Sequence, residues 1–329
     1  MYKSLNLRSI KKFLNMLTRR HIRIKVMQSV YAFSFAENDK LEDQTKFLKQ
    51  SIANVFELYI LLLALFKALS QYAKEQVAII DKAQISLPTL KDKHIKFLNN
   101  STLRFLDEHP TLNQMLENRK MKDWDLEFKY VKRIYDSLME ATFFDEYHQS
   151  ENSSETTDRT LIVKLFRQII APADYIFDYV EDRKLTWQDD FPLVNTFLIK
   201  QLKNLRLGDY NSLELPNSDD NKEEITFGVK LLEQAITKDQ ELQAELKGKT
   251  PNWDQERIAH LDSILLKIAI AELLYFPTIP PKVTLNEYLE IAKDYSTPKS
   301  NNFVNGVLDK LVRQFEEDNR LNKEGRGLK

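Results

Sequence analysis

The chain has 329 residues, 43% of them hydrophobic and 29% charged, which supplies enough apolar surface for one large core or two modest ones. It has no cysteine, which excludes a disulfide framework, thiolate zinc sites, cysteine-bound clusters and cysteine nucleophiles and leads us to expect a cytoplasmic protein. Charge nearly cancels at 48 basic against 49 acidic residues, yet the first 36 residues carry Lys3, Arg8, Lys11, Lys12, Arg19, Arg20, Arg23 and Lys25 and no Asp or Glu. A basic end on an otherwise acidic chain directs one surface toward a polyanion, either nucleic acid or an anionic membrane. None of the six glycines is spaced as GxGxxG or GxxxxGK[ST], so there is no phosphate-cradling loop of the dinucleotide-binding or P-loop kind.

Apolar residues recur at three and four, and no stretch alternates with β-branched residues, so the expected fold class is all-α. Residues 1–15 are basic and mildly amphipathic, without the apolar core and cleavage site of a secretory signal. With Met16 as an alternative start, they read as an upstream extension or a disordered arm. Thr18 is a suitable N-cap for a helix reaching about Phe35, with Ile22, Val26, Val30 and Phe33 on one face. Asn38 and Asp39 end it. A long helix over 41–83 carries the most apolar run, residues 58–66 (LYILLLALF), which falls short of the ~20 residues needed to span a bilayer and reads as a buried helix. It stops near Ser86 and Pro88.

Further helices are expected at 92–107 and within 111–147, followed by a polar linker at 149–158 that cannot contribute to a core. Helical segments at 161–179 and 193–207 lead to a second break at 215–221 (LPNSDDN). Beyond it, helices are expected at 223–246, 258–276, 282–295 and 301–317, with a connector holding Gly248 and Pro251 and a frayed polar tail after Asp318. In the 258–276 helix, Leu261, Ile264, Leu265, Ile268, Ala271 and Tyr275 share a face.

The stretch 261–311, LDSILLKIAIAELLYFPTIPPKVTLNEYLEIAKDYSTPKSNNFVNGVLDKL, resembles the NusB family of transcription antitermination factors. It carries a leucine-rich helix with an AxxELLY-like ending, a proline loop followed by KV, an NE pair, an AK ending and FVNGVLDK. FGVKLLEQAI (227–236) and NWDQERI (252–258) are similar to the family's preceding helix and linker. At the other end, TRRHIRIKVMQSVYAF (18–33) resembles its arginine-rich first helix, with Gln28 and Tyr31 fixing the alignment. No family motif is visible between about 40 and 220. The expected organisation is therefore an extension over 1–17, a basic first helix over 18–38, a helical insertion or enlarged first bundle over 39–221, a C-terminal helical domain over 222–318 and a tail over 319–329.

The resemblance implies single-stranded, boxA-like RNA of ribosomal RNA leader transcripts as the ligand, with the ribosomal protein NusE and the elongation complex as partners. It places Arg19, Arg20 and Arg23 on the family's RNA-contacting segment, where guanidinium groups and free backbone N–H groups at a helix start suit phosphates. Tyr295, Lys299, Ser300 and Phe303 correspond to a second RNA-contacting stretch, with the aromatics as base platforms and the lysine reaching a phosphate. Lys299 stands where relatives often carry an acid. Tyr31 and Asp262 are similar to positions near the NusE-facing surface. The residues taken alone also allow a solvated basic helix end, a core phenylalanine at 303, an exposed helix-start acid at 262 and a core tyrosine at 31.

The five histidines form no HxxxH or HExxH pair, and no nucleophile, base and orienting group assemble from spacing, so neither a metal site, a cofactor nor an enzyme is expected. NusB-like domains fused to RNA cytosine methyltransferases need a cofactor loop and usually a catalytic cysteine, which this chain lacks. The remaining alternative is a protein-binding helical scaffold or homodimer without specific RNA recognition.

Overall fold

The computed structural model describes residues 16–36, 40–83, 87–150, 154–216, 221–247 and 260–324. The expectations for residues 1–15, for the stops at Asn38, Asp39 and Ser86, for the connector at Gly248 and Pro251, and for 252–258 lie outside them. Regular structure among the described residues is helical, as expected. In chain order the helices are α1 (Arg19–Phe35), α2 (Leu41–Ala83), α3 (Pro88–Leu98), α4 (Ser101–Asp107), α5 (Pro110–Arg119), α6 (Asp123–Leu126), α7 (Phe128–Met139) and α8 (Thr142–Gln149). There follow α9 (Glu155–Leu165), α10 (Asp174–Arg183), α11 (Trp187–Asn204), α12 (Lys222–Thr237), α13 (Asp239–Leu246), α14 (His260–Tyr275), α15 (Pro281–Tyr295) and α16 (Ser300–Glu317). The described residues divide into two compact units, one of Met16 with those from Ala53 to Pro216 and one of those from Leu17 to Ile52 with those from Asn221 to Glu324.

In the first unit, the part of α2 from Ala53 onward is the axis of the core. Every residue of its apolar run is buried. By length and composition α2 could cross a membrane, but 72% of its most apolar 18-residue window is buried inside the protein. Two indoles fasten other segments to its backbone: Trp124 Nε1 donates to the Leu61 carbonyl at 2.8 Å and Trp187 Nε1 to the Asn54 carbonyl at 2.7 Å. An indole delivers a large apolar body and one donor, and here the donor is satisfied inside the core.

The single helix expected over 92–107 is two, because Asn100 leaves helical geometry to cap α4, accepting from the Leu103 N–H at 2.9 Å. The 149–158 linker is also shorter than expected. Ser154 caps α9, and Asp158 is buried, its carboxylate accepting from the Ser101 N–H at 2.7 Å, the Ser101 hydroxyl at 2.6 Å and the Tyr147 hydroxyl at 2.7 Å. A polar residue enters a core when donors meet it.

In the second unit, α14 is central, packing against α1, α12, α13, α15 and α16. Ile264, Leu265, Leu266, Ile268, Ala269, Ile270, Ala271 and Leu273 are all buried, so this helix is apolar nearly all round rather than on one face. The expected ends of that face, Leu261 and Tyr275, are half-buried instead. Gly228 lets α12 approach α1, since a Cβ there would lie 2.7 Å from Ile22 Cγ2. The 223–246 helix breaks at Lys238, where φ −103° and ψ 15° interrupt it between α12 and α13. The tail after Asp318 is not frayed through residue 324; its bonds are described below.

Burial holds the pKa of three histidines below the ordinary 6.5: His94 and His109 in the first unit, and His21 in the second, where the charges of Lys25 and Arg20 add to the effect. In His21 and His109 the hydrogen bonds also call for a ring nitrogen without a proton. His21 Nδ1 accepts the Thr18 N–H at 3.1 Å, His109 Nδ1 accepts the Leu112 N–H at 3.2 Å, and His94 Nδ1 lies 2.7 Å from the Tyr135 hydroxyl. A depressed native pKa means the unfolded chain takes up protons first, so stability is fully present above the ordinary value and declines as pH falls below it. Thermal melts from about pH 7.5 to about pH 5.5 should therefore show a falling Tm, less so in a His94→Phe variant. A flat profile would contradict the lowered histidine pKa values.

Candidate nucleic-acid interface

The first turn of α1 forms one end of the second unit, facing the turn 276–280 and the start of α15. Thr18 and its partner His21 start the helix, and the next residues diverge in environment. Arg19 is exposed, lies over the Phe227 ring at 5.2 Å and has no carboxylate partner among the described residues. Arg20 is half-buried and grips Glu287 with two bonds, at 3.0 and 3.1 Å, with Glu290 at 3.8 Å.

Arg23 departs from the expectation of an RNA contact. It is 2% exposed and makes a two-pronged pair with the fully buried Glu272, at 2.7 and 2.8 Å, with Glu287 at 3.5 Å. Glu272 also accepts from the Thr284 hydroxyl at 2.8 Å, and Tyr288 lies at 3.4 Å. Burial alone would lower the pKa of Arg23, but the hydrogen bond and charge of Glu272 outweigh it and the net shift is upward. Burial alone would likewise raise Glu287, and Arg20's hydrogen bond and charge bring it down. Arg23 thus closes the core ion network instead of facing a phosphate.

Two clefts flank this helix start. One, of about 620 Å³, is lined by Arg19, Arg20, His21, Thr278, Pro280 and Glu287. The other, of about 400 Å³, lies between Arg19, Lys222, Phe227, Lys230 and Phe276. Lys230 Nζ sits 5.1 Å over the Phe276 ring, so two cations cover two aromatic faces in that cleft. Lys222 and Lys230 were not singled out in the sequence. Their only signal is helical position, since they lie on α12, whose buried Phe227 and Gly228 meet α1.

The other sequence-predicted residues gather at the opposite end of the unit. The 15 residues of α15 separate the two ends by ~20 Å at helical rise. Here Asp262 and Ser300, expected at a partner face and an RNA face, are both buried and bind each other: the Ser300 and Ser296 hydroxyls each donate to the Asp262 carboxylate at 2.6 Å. The first turn of α14 thereby fixes the turn between α15 and α16. Phe303 is buried in the core rather than displayed as a base platform, because α16 turns that side inward with Val304, Val307, Leu308 and Leu311. Tyr295 is half-buried and Lys299 is exposed.

Tyr31 is exposed on the last turns of α1, within an aromatic cluster that sequence reasoning missed. Its ring lies 4.9 Å from Phe35 and 5.7 Å from His260, and Phe35 is 5.0 Å from His260. Ser34 joins it, with its hydroxyl 2.8 Å from His260 Nε2. Phe35 is 64% exposed. Exposed aromatics grouped in this way mark an interaction surface more often than isolated ones do.

The NusB family model matches residues 191–313, beginning in α11, upstream of the segment where the sequence motifs are visible. The transcription antitermination protein NusB of Chloroherpeton thalassium is 43% identical over 102 residues, 31% of this chain and 48% of that protein. The protein of the same name from Salinibacter ruber is 43% identical over 102 residues and 64% of its length. The chain thus spans about half to just under two thirds of these two relatives. That of Geotalea daltonii is 30% identical over 142 residues, 42% of this chain and 95% of that protein. No solved structure matches. With the arginine-rich α1 packed on the helices that carry the family motifs, and a relative matched over nearly its whole length, the chain belongs to the NusB family.

Proposed function

We propose that the protein is a cytoplasmic transcription antitermination factor that binds single-stranded, boxA-like RNA of ribosomal RNA leader transcripts together with the NusE ribosomal protein, and tethers that RNA to the elongation complex. It acts by binding and not by catalysis. The observation that carries this reading is the exposed Arg19 at the start of α1, between two clefts that also hold Arg20, Lys222 and Lys230. Guanidinium and ammonium groups beside a helix start attract phosphates, and neighbouring aromatic faces suit unpaired bases. Family membership directs the choice of ligand.

On this reading Arg19, Lys222 and Lys230 hold phosphates directly, and Arg20 does so by sharing its guanidinium with Glu287. Tyr295 and Lys299 extend the contact at the far end of α15. Arg23, Ser300 and Phe303 support the surface from within. Tyr31, with Phe35 and His260, meets the NusE partner, and Asp262 holds the neighbouring turn.

Fluorescence anisotropy with a boxA-like RNA and a scrambled control, with and without the NusE partner, tests this. An Arg19→Glu, Lys230→Glu double variant should lose at least about 10-fold in affinity, and its salt slope should fall by about 0.7 per phosphate contact removed. Phe35→Asp should abolish strengthening by the partner and leave RNA binding alone. Equal, negligible binding to both RNAs in every arm would leave the protein-binding scaffold in its place.

A further inference from the structure

The segment after α16 is built as a strap. Asn319 adopts a left-handed conformation at φ 55°, and the Arg320 and Asn319 N–H groups return to the Phe315 and Glu316 carbonyls at 2.8 and 3.1 Å. This helix-terminating arrangement reverses the chain sharply. Arg320 then grips Glu245 of α13 with two bonds, at 3.1 and 2.7 Å. Lys323 Nζ donates to the Phe276 carbonyl at 2.9 Å and to the Glu272 carbonyl at 3.4 Å, and the Glu324 N–H donates to the Pro277 carbonyl at 2.9 Å.

Those acceptors belong to the end of α14 and the turn that follows it. The other side of the same turn is the cleft wall: Thr278 and Ile279 line both clefts, Pro280 lines the larger and Phe276 the smaller. The Phe276 carbonyl takes the Lys323 ammonium and the Ile279 N–H, at 3.2 Å, together. A single acceptor thus joins the strap to the fold of the turn. Lys323 is enclosed firmly enough that burial pushes its pKa down to about 8.

We propose that residues 320–324 are a positioning strap for the RNA cleft: through Arg320, Lys323 and the Glu324 N–H they hold the turn 276–280 against α1 without touching RNA. The inference rests on the RNA reading above. It assigns the C-terminal residues a role in affinity at a site to which they contribute no contact, since a wall fixed before binding leaves less ordering to be done on binding.

Three variants of the full chain test it: Lys323→Met, Lys323→Arg, and a chain ending at residue 321, which keeps the α16 cap and the Arg320–Glu245 pair. Each is measured for boxA-like RNA affinity across salt, for NusE binding and for amide exchange of the 276–280 turn. Lys323→Met and the shortened chain should weaken RNA binding about 5-fold, the scale of one lost hydrogen bond, with Lys323→Arg restoring most of it. The salt slope should stay at the wild-type value, because no phosphate contact is lost. Exchange in the turn should quicken, and partner binding at the far end should not change.

A shallower salt slope would make Lys323 a direct phosphate contact and overturn the proposal. So would unchanged exchange in the turn, whatever RNA does. If wild-type protein binds no RNA but the turn loosens in the variants, the RNA reading fails while the strap's hold on the turn stands.

Discussion

Arg23→Ala should cost about 3–5 kcal/mol of stability, because it leaves Glu272 charged and fully buried without its partner. The remaining donors, Thr284 at 2.8 Å and Tyr288 at 3.4 Å, solvate the carboxylate but do not neutralise it. Replacing both partners, as Arg23→Leu with Glu272→Leu, should recover much of the loss, since the cost comes from an unpaired charge and not from the absence of the pair. Urea unfolding of the two single variants and the double gives the cycle. If Arg23→Ala instead left the midpoint unchanged and removed only RNA affinity, Arg23 would be a surface phosphate contact and its placement in the core would be wrong.

Trp187→Ala should be the most damaging single truncation in the first unit, at about 3–5 kcal/mol, the range for removing a buried aromatic body. Trp187 is 1% exposed and its indole donates into α2. That corresponds to a fall in Tm of order 10 °C for a unit of this size. Trp187→Phe keeps most of the volume and loses the hydrogen bond, so its cost should be about 1 kcal/mol. A melt of the alanine variant within about 2 °C of wild type would mean that the core around α2 closes without this side chain.

Helix type was legible, and so were the ends of α1, α2, α14, α15 and α16, because the signals there were local. Thr18 followed by Ile22, Val26 and Val30 marked α1, and the apolar density of 261–276 marked α14. The breaks at Asn100 and Lys238 were not, since neither follows a glycine or proline. Asn100 continues the apolar pattern into Leu103, and its capping role depends on the α9 backbone it also binds, with Nδ2 donating to the Asp158 carbonyl at 3.0 Å.

The site was legible in its chemistry and not in its allocation. Three arginines within one turn looked equivalent, yet which one is buried depends on Glu272, 249 residues away. The overlooked clue was Glu272 itself, a single carboxylate between Ile268 and Phe276 in a run otherwise without charge. Asp262 and Ser300 were misplaced for the same reason: each looks solvent-bound until the other is brought beside it. Phe35 was missed because Phe33 took its place in the counted face of α1, although Phe35 is the more exposed of the two.

The separation between Arg23 and Glu272 also bears on how the chain is made. The ribosome delivers α1 before both its ion partner, 249 residues downstream, and the glycine that admits it, Gly228. The first unit has its sequence from Ala53 to Asp220 complete well before that, and domains generally fold as they become available during synthesis. Until then α1 waits as a basic amphipathic segment, and its docking onto α14 is a long-range closure that follows synthesis of the first unit.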